Sequence, residues 1–264
     1  MPKVEVNGVN LAYEIHGSGQ PFVLVPGWTF SKAEFKVQIP EFSKKYQVIV
    51  YDQRGHGDSD KPEAGYSLDV FASDLNALLG KLNIGKAIIL GHSMGGMIAQ
   101  VFALTYPERV KALILYGTIS SSPPIGHVWG PWGRESIRLI EEMGYREYLK
   151  WFSQYWFSPG TDPKVIEEFL EESCFKVPQP VMTAMWRDGI TKCNVRDRLH
   201  EIKVPTFLIV GGDDCRTPVE DHEKMNRAIP NACLKIIKGT GHMANIEKPA
   251  EFNRAVMNFL WTIE

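Results

Sequence analysis

The sequence feature that most constrains the fold is the stretch from Gly91 to Gly95 (GHSMG). It follows a short apolar run, residues 87–90 (AIIL), which predicts a buried strand. It leads into residues 94–105, where apolar side chains recur at helical spacing. A strand that runs directly into a helix places Ser93 on a sharp turn, where flanking glycines avoid clashes between Cβ atoms. The pattern predicts a nucleophile elbow, with the serine hydroxyl raised above the edge of a sheet.

A glycine-rich turn of this kind could instead bind a phosphate group and leave the serine idle. A phosphate-binding loop has a lysine near its end, and none lies between Lys86 and Lys111. The glycines at positions 91, 95 and 96 also lack the spacing of a dinucleotide-binding loop. We therefore interpret the turn as the carrier of a catalytic serine.

Strand and helix patterns alternate on both sides of the elbow. Buried strands are predicted at residues 22–25, 47–51, 110–116, 206–210 and 234–237, and helices at residues 67–82, 219–228 and 249–261. An antiparallel hairpin around Asn7 and Gly8 precedes them. This alternation predicts an α/β fold, in which helices cover both faces of a mostly parallel sheet.

The alternation stops after residue 117 and resumes at residue 199. We therefore predict a core made of residues 1–117 and 199–264, interrupted by a helical insertion, the cap segment (residues 118–198). Five tryptophans lie in this insertion. They either form the core of the cap or the roof of an apolar substrate pocket, and periodicity does not separate the two. Trp129, Trp156 and Trp186 are the candidate pocket residues.

Composition argues against several classes of function. The 264 residues carry a net charge of −2 with no basic stripe, so we expect no nucleic-acid partner. The four cysteines are far apart and lack a histidine at ligand spacing, so we expect no metal site and free thiols. The first residues lack the apolar segment of a signal peptide. Residues 87–107 are uncharged and long enough to span a membrane, but they contain the polar elbow, which argues against a transmembrane helix. We expect a cytoplasmic enzyme without membrane contact or cofactor.

A serine nucleophile needs a base and a group that orients the base. His242 follows the last predicted strand, and the carboxyl ends of parallel strands share one edge of the sheet with Ser93. Asp213 and Asp214 follow the preceding strand, and spacing alone does not choose between them. Both could instead cap the helix that begins after Pro218. The chain order serine, aspartate, histidine is the order found with this type of elbow.

Two backbone N–H groups are predicted to stabilise the oxyanion that forms during acyl transfer. The N–H of Met94 lies at the start of the helix beside the nucleophile. The N–H of Trp28 follows the strand at residues 22–25, where Gly27 lets the backbone approach closely. Each such donor typically contributes about 3 kcal/mol to transition-state stabilisation.

Together these segments resemble the α/β-hydrolase superfamily over nearly the whole chain outside the cap segment. The similar stretches are residues 25–28 (VPGW), 51–59 (YDQRGHGDS), 91–96 (GHSMGG), 211–218 (GGDDCRTP) and 241–242 (GH). The resemblance implies an eight-stranded, mostly parallel sheet with a helical cap after the sixth strand. It also selects Asp214 as the acid, because the acid of the family stands four residues before a proline in a G-x-x-D-x-x-x-P pattern.

The resemblance also limits the activity. Many members have a histidine before the glycine of the oxyanion loop, whereas this chain has Pro26, which keeps the backbone donor but removes a histidine side chain. Members that cleave haloalkanes or epoxides have an aspartate at the elbow, so Ser93 argues against those activities. In the loop at residues 52–59, the family implies a structural role for His56 and Asp58.

The sequence thus predicts a serine hydrolase that cleaves small, mostly apolar carboxylic esters. Ser93 is the predicted nucleophile, His242 the base and Asp214 the orienting acid, with an acyl-enzyme intermediate. The alternatives are a lactonase, such as an enol-lactone hydrolase, or a hydrolase of C–C bonds in ring-cleavage products. A lyase with the same triad would need a lysine at the site, and a ligand receptor on this fold would bind tightly without turnover.

Overall fold

The computed structural model describes residues 1–122 and 133–263. Its centre is an eight-stranded sheet with the spatial order β1-β2-β4-β3-β5-β6-β7-β8. The strands are β1 (Lys3–Val6), β2 (Val9–His16), β3 (Gln20–Val25), β4 (Tyr46–Tyr51), β5 (Ala87–His92), β6 (Val110–Tyr116), β7 (Thr206–Gly211) and β8 (Ala232–Ile237). Strands β1 and β2 pair antiparallel to their neighbours, and all later pairs are parallel. The predicted fold class is confirmed.

Helices cover both faces of this sheet. The helices of the described residues are α1 (Ile39–Phe42), α2 (Leu68–Lys81), α3 (Met94–Thr105), α4 (Arg134–Met143), α5 (Tyr145–Phe152), α6 (Pro163–Phe169), α7 (Gln179–Asp188), α8 (Val219–Ala228), α9 (Ala244–Glu247) and α10 (Pro249–Trp261). Helix α2 begins after Ser67, whose side chain accepts a hydrogen bond from Val70 N–H. Among the described residues, every helix is too short or too polar to cross a membrane.

Strand side chains pack alternately into two apolar cores. In β3, Val23 and Val25 belong to the core that contains α2 and α3, while Phe22 and Leu24 belong to the core that contains α1 and α10. All four side chains are completely buried. Burial of a side chain of this size stabilises the fold by roughly 1.5–3 kcal/mol. The sheet is therefore a rigid support, with its carboxyl edge free to carry loops.

Helices α4–α7 lie between β6 and β7, within the segment predicted as a cap. The two ends of this segment meet at an isolated antiparallel bridge between Ser121 and Asn194. Hydrogen bonds from Val195 N to Ser120 O (2.8 Å) and from Ser122 N to Cys193 O (2.8 Å) extend the contact. The chain before α4 and the chain after α7 therefore lie side by side.

Candidate active site

Ser93 lies in the turn between β5 and α3, in a backbone conformation that residues other than glycine rarely adopt. Its φ is 54° and its ψ is −118°. The backbone N–H donates to Tyr116 O (2.9 Å), and the Thr118 hydroxyl donates to Ser93 O (2.7 Å). Such a conformation costs on the order of 1–3 kcal/mol and persists only where the surroundings hold it. Strand β6 and the residues after it therefore hold the serine in place.

The two flanking glycines are required because there is no space for side chains. A Cβ atom at Gly91 would lie 2.2 Å from the backbone oxygen of Gly95. A Cβ atom at Gly95 would lie 2.2 Å from the backbone oxygen of Val25. Backbone atoms of a packed sheet cannot move aside, so both positions need glycine. The same close approach brings the end of β3 against the start of α3.

His242 lies after β8, with its imidazole turned toward Asp214. Its Nδ1 is 2.8 Å from Asp214 Oδ2. The carboxylate also accepts hydrogen bonds from the N–H groups of Arg216 (2.8 Å) and Thr217 (2.9 Å) and from the Thr217 hydroxyl (2.7 Å). Asp213 is exposed to solvent. The structure thus brings Asp214, rather than its neighbour, to the imidazole.

Burial and charge together set the protonation of this pair. Burial by itself raises the pKa of Asp214, but the charge and hydrogen bond of His242, with the hydrogen bonds of Thr217, lower it to about 2. Burial lowers the pKa of His242 below its ordinary value near 6.5, against the opposite effect of Asp214. At neutral pH the carboxylate is therefore ionised and the imidazole neutral, which is the state required of a general base.

A second buried pair of histidine and carboxylate lies directly behind the first. His92 Nδ1 is 2.5 Å from Glu34 Oε1, and neither side chain has exposed surface. The other carboxylate oxygen accepts the N–H of Gly27 (2.9 Å). His92 Nε2 lies 3.1 Å from the backbone oxygen of His242. This second pair therefore connects the loop after β3 to the loop that carries the predicted base.

The partner of His92 Nε2 shows that this nitrogen carries a hydrogen. A carbonyl oxygen only accepts, so Nε2 of His92 donates a hydrogen to His242 O. Glu34 was not identified from the sequence. No motif marks it, and its burial results from packing between distant segments.

The predicted oxyanion donors lie around the nucleophile. Trp28 and Met94 line the same cavity as Ser93. A Cβ atom at Gly27 would lie 3.4 Å from Ser93 Cβ, so the loop after β3 reaches the serine. Thr29, with a φ of 65°, turns the chain immediately after Trp28. Met94 is the first residue of α3, and the first N–H groups of a helix have no acceptor within it. Trp28 and Met94 thus both lie beside Ser93.

The cavity above Ser93 is narrow and mostly apolar. Ser93 and His242 line it from the core, and Phe152, Trp156 and Trp186 line it from the cap segment. The space open to the centres of water molecules is about 30 Å³, which is enough for only one or two waters. Ser93 and His242 thus line a small space between the core and the cap segment.

Two of the three candidate pocket tryptophans lie among the described residues, and both line the cavity. Trp186 packs against Trp28 with a distance of 5.2 Å between ring centroids, and Trp156 packs against Phe30 at 5.0 Å. Both are almost completely buried, so each contributes to the core of the cap as well as to the cavity wall. Trp129 lies outside the described residues.

The polar loop at residues 52–59 forms a network of its own. Asp52 accepts hydrogen bonds from the backbone N–H of Lys32 (2.7 Å), from its ammonium group (2.9 Å) and from Asp58 N–H (2.8 Å). Burial lowers the pKa of His56 to about 4, although its hydrogen bond to Arg54 O opposes the shift. These contacts agree with a structural role for the loop.

The sequence and the structure are both similar to those of known proteins. A sequence profile of the alpha/beta hydrolase fold matches residues 20–136. The chain is 31% identical over 222 residues to 3-oxoadipate enol-lactonase 2 of Acinetobacter baylyi, which covers 83% of this chain and 80% of the relative. Among solved structures, Est816, described as an N-acyl homoserine lactone degrading enzyme, has a TM-score of 0.86 at 31% identity, over 98% of this chain and 100% of its own. A thermophilic esterase from Thermogutta terrifontis has a TM-score of 0.88 at 28% identity, over 100% of this chain and 99% of its own.

These similarities extend over almost the entire chain and agree with the sheet order and with the strained serine between β5 and α3. By their names these three relatives are an enol-lactonase, a lactone-degrading enzyme and an esterase. The chain belongs to the α/β-hydrolase superfamily, and it is a hydrolase.

Proposed function

We propose that the protein is a serine hydrolase that cleaves small, mostly apolar carboxylic esters through an acyl-enzyme intermediate. The hydrogen bond of 2.8 Å between His242 and Asp214, beside a cavity that Ser93 also lines, is the observation that carries this proposal. Because Asp214 engages Nδ1, the other ring nitrogen remains for the serine. A neutral, oriented imidazole is the base that an unactivated hydroxyl requires.

In the first half-reaction, Nε2 of His242 takes the proton of the Ser93 hydroxyl while its oxygen attacks the ester carbonyl carbon. The N–H groups of Trp28 and Met94 bind the oxyanion of the tetrahedral intermediate. The intermediate collapses, the bond to the alcohol oxygen breaks, and His242 passes the proton to the departing alkoxide. Asp214 stays ionised and stabilises the imidazolium between the two transfers.

In the second half-reaction, water attacks the acyl group on Ser93. His242 takes a proton from this water and returns it to the serine oxygen as the acid is released. The aromatic walls of the cavity favour an apolar acyl or alcohol group because such groups lose little hydration on entry. Both half-reactions use the same three side chains and the same two backbone donors.

Hydrolysis of a lactone is the second candidate. A lactone is a cyclic ester, so the same residues would cleave it. One similar protein is named an enol-lactonase and another a lactone-degrading enzyme. The difference lies in the leaving group, which stays attached to the acyl chain after ring opening. A lactone must therefore fit the cavity as one piece.

The test is a steady-state assay with p-nitrophenyl acetate, butyrate and octanoate and with simple five- and six-membered lactones. Wild-type protein should turn over the short esters, and Ser93→Ala should lose roughly 10⁶-fold in kcat because the nucleophile is absent. A fluorophosphonate should modify Ser93, which mass spectrometry detects. Ser153→Ala removes a buried cap serine that does not line the cavity, and it should keep wild-type activity.

Full activity of Ser93→Ala, with circular dichroism unchanged, would rule out the proposed nucleophile. Failure of the wild-type protein to cleave any of these esters or lactones would rule out both candidate functions.

A further inference from the structure

A third histidine is buried close to the candidate site and takes no part in the proposed chemistry. His222 lies in α8, and none of its surface is exposed. It does not line the cavity that Ser93 and His242 share. A histidine that only filled apolar space would bury two polar ring nitrogens at a cost that an apolar side chain avoids. The contacts of these nitrogens therefore indicate what the residue does.

Both ring nitrogens of His222 form hydrogen bonds with the backbone. Nε2 lies 3.1 Å from the backbone nitrogen of Thr118, and Nδ1 lies 3.2 Å from Pro218 O. An N–H group only donates and a carbonyl oxygen only accepts, so Nε2 is an acceptor and Nδ1 carries the hydrogen. Burial lowers the pKa of His222 and outweighs the opposing hydrogen bond to Pro218 O. The ring is therefore neutral at neutral pH, and it connects α8 to the chain that follows β6.

Thr118 in turn contacts the residue that carries the predicted nucleophile. Its hydroxyl donates to Ser93 O at 2.7 Å. The other N–H donors to this oxygen, those of Gly96 and Met97, belong to α3 itself. The φ of 54° at Ser93 is a conformation that persists only where surrounding contacts stabilise it. Thr118 therefore links the strained serine to the chain after β6, on the side away from its own helix.

The residue before Thr118 lies against the predicted base. Gly117 has a φ of 49°, and a Cβ atom there would lie 3.3 Å from His242 Nδ1. Residues 117 and 118 are thus in contact with both the nucleophile and the base, and His222 holds the second of them. A shift of this segment would change the position of Ser93 relative to His242, and proton transfer depends strongly on that geometry.

We infer that His222 is a positioning residue for Ser93 that acts through Thr118. It accepts the Thr118 N–H, so that the threonine hydroxyl stays on the carbonyl oxygen of the serine. This inference rests on the proposed function and adds to it a residue that does not touch the substrate. Because the ring lies outside the cavity, its loss should slow the chemical step and leave substrate binding unchanged.

The experiment measures kcat, KM and the rate at which a fluorophosphonate labels Ser93, with p-nitrophenyl butyrate as the substrate. His222→Phe keeps an aromatic ring but leaves the Thr118 N–H without an acceptor, so kcat and labelling should fall roughly tenfold or more while KM stays within about twofold. His222→Gln offers an amide oxygen to the same N–H and should keep kcat within about threefold of wild type. His200→Phe replaces an exposed histidine outside the cavity and should leave all three quantities at their wild-type values.

A double variant tests whether His222 acts through Thr118. Thr118→Val removes the hydroxyl that bonds to Ser93 O and should itself lower kcat with little change in KM. If the two residues form one support, His222→Phe should lower kcat little further in the Thr118→Val background. Losses that multiply in the double variant would overturn the inference.

A purely structural role predicts a different result. The melting temperature of His222→Phe would fall, but kcat per folded molecule would equal that of wild type, and this outcome would overturn the inference. So would equal losses of kcat in His222→Gln and His222→Phe. If His222→Phe does not fold, a folded His222→Gln that loses tenfold in kcat, or Thr118→Val with wild-type kcat, would still overturn it. Failure of the proposed function is distinct, because wild-type protein would then cleave no ester and leave the fluorophosphonate unreacted.

Discussion

Two buried pairs of histidine and carboxylate lie side by side in this protein, with 4.7 Å between the ring centroids of His92 and His242. In both pairs the carboxylate faces Nδ1, at 2.8 Å from Asp214 and 2.5 Å from Glu34. They differ at Nε2. In His92 this nitrogen donates to a backbone oxygen, whereas His242 lines the cavity beside Ser93. The contact of the second ring nitrogen, rather than the presence of a carboxylate, distinguishes a predicted base from a support.

Proximity along the chain would have favoured the other histidine as the base. His92 immediately precedes Ser93, but its ring is stacked on Tyr116 at 4.1 Å and lies 5.8 Å from Phe30. Both of its nitrogens are occupied. His242 is 149 residues further along the chain from Ser93, and only the meeting of strand ends at one edge of the sheet brings it to the serine.

Of the substitutions in the two pairs, replacing Asp214 by its amide should lower the activity most. Asp214→Asn turns an NH₂ group toward Nδ1, so the hydrogen of His242 moves to Nε2 and the base is lost. We expect kcat to fall about 10³- to 10⁴-fold with the fold retained. Asp213→Asn, at the exposed neighbouring position, should stay within about threefold of wild type. A larger loss at position 213, measured with the same p-nitrophenyl ester, would reverse the choice of acid.

The same amide replacement should be tolerated at the second pair. In Glu34→Gln, the amide oxygen still accepts the N–H of Gly27, and the NH₂ group donates to Nδ1 of His92. That histidine needs its hydrogen on Nε2, so the network survives, and we expect activity within about fivefold of wild type.

Glu34→Ala should remove the hydrogen bonds that Glu34→Gln retains. The N–H of Gly27 and the ring of His92 lose their partner, which should lower the free energy of unfolding by about 2–5 kcal/mol. We also expect kcat/KM to fall roughly ten- to hundredfold, because the oxyanion loop is less well positioned. Urea unfolding and ester kinetics on both variants test the comparison. A glutamine variant as damaged as the alanine variant would mean that charge, rather than hydrogen bonding, is essential at this position.

The pH dependence of the reaction should report the pKa of His242. Burial lowers the pKa of His242 below 6.5, with His92 and Arg216 acting in the same direction and Asp214 against them. Since the neutral imidazole is the base, kcat/KM for a neutral ester should rise through an inflection below pH 6.5 and then stay level. Asp214, with a pKa of about 2, should add no inflection above pH 4. An inflection above pH 7 would contradict this balance of burial and charge.

The smallest change in activity is expected from substitutions in the cavity wall. Trp156→Leu should change the ratio of kcat/KM for octanoate and acetate esters by a few-fold, since one extra methylene in an apolar pocket changes binding by roughly 1–3 kcal/mol at most. Trp151→Leu, an exposed tryptophan of the same cap segment that does not line the cavity, is the matched control. Identical chain-length preference in the two variants would return Trp156 to a purely structural role.

Local sequence patterns predicted much of the fold. Apolar runs predicted the central strands within one or two residues, and Ser67 and Pro249 marked the starts of α2 and α10. They also placed Ser93 between strand and helix, because the conformation of a sharp turn depends on residues within it. The choice between Asp213 and Asp214 did not follow from spacing. It came from resemblance, because adjacent loop residues point in different directions and only packing decides which one is buried.

The sequence by itself determined that a serine would stand on a strained turn, because two glycines and the flanking apolar periodicity act over a few residues. Only the tertiary structure decided which histidine has a nitrogen free to act, that Glu34 is buried behind it, and that Arg216 lines the cavity. Those outcomes depend on segments between 58 and 150 residues apart meeting at one edge of the sheet. The burial and orientation of a side chain depend on contacts between these distant segments, and a local sequence pattern does not specify such contacts.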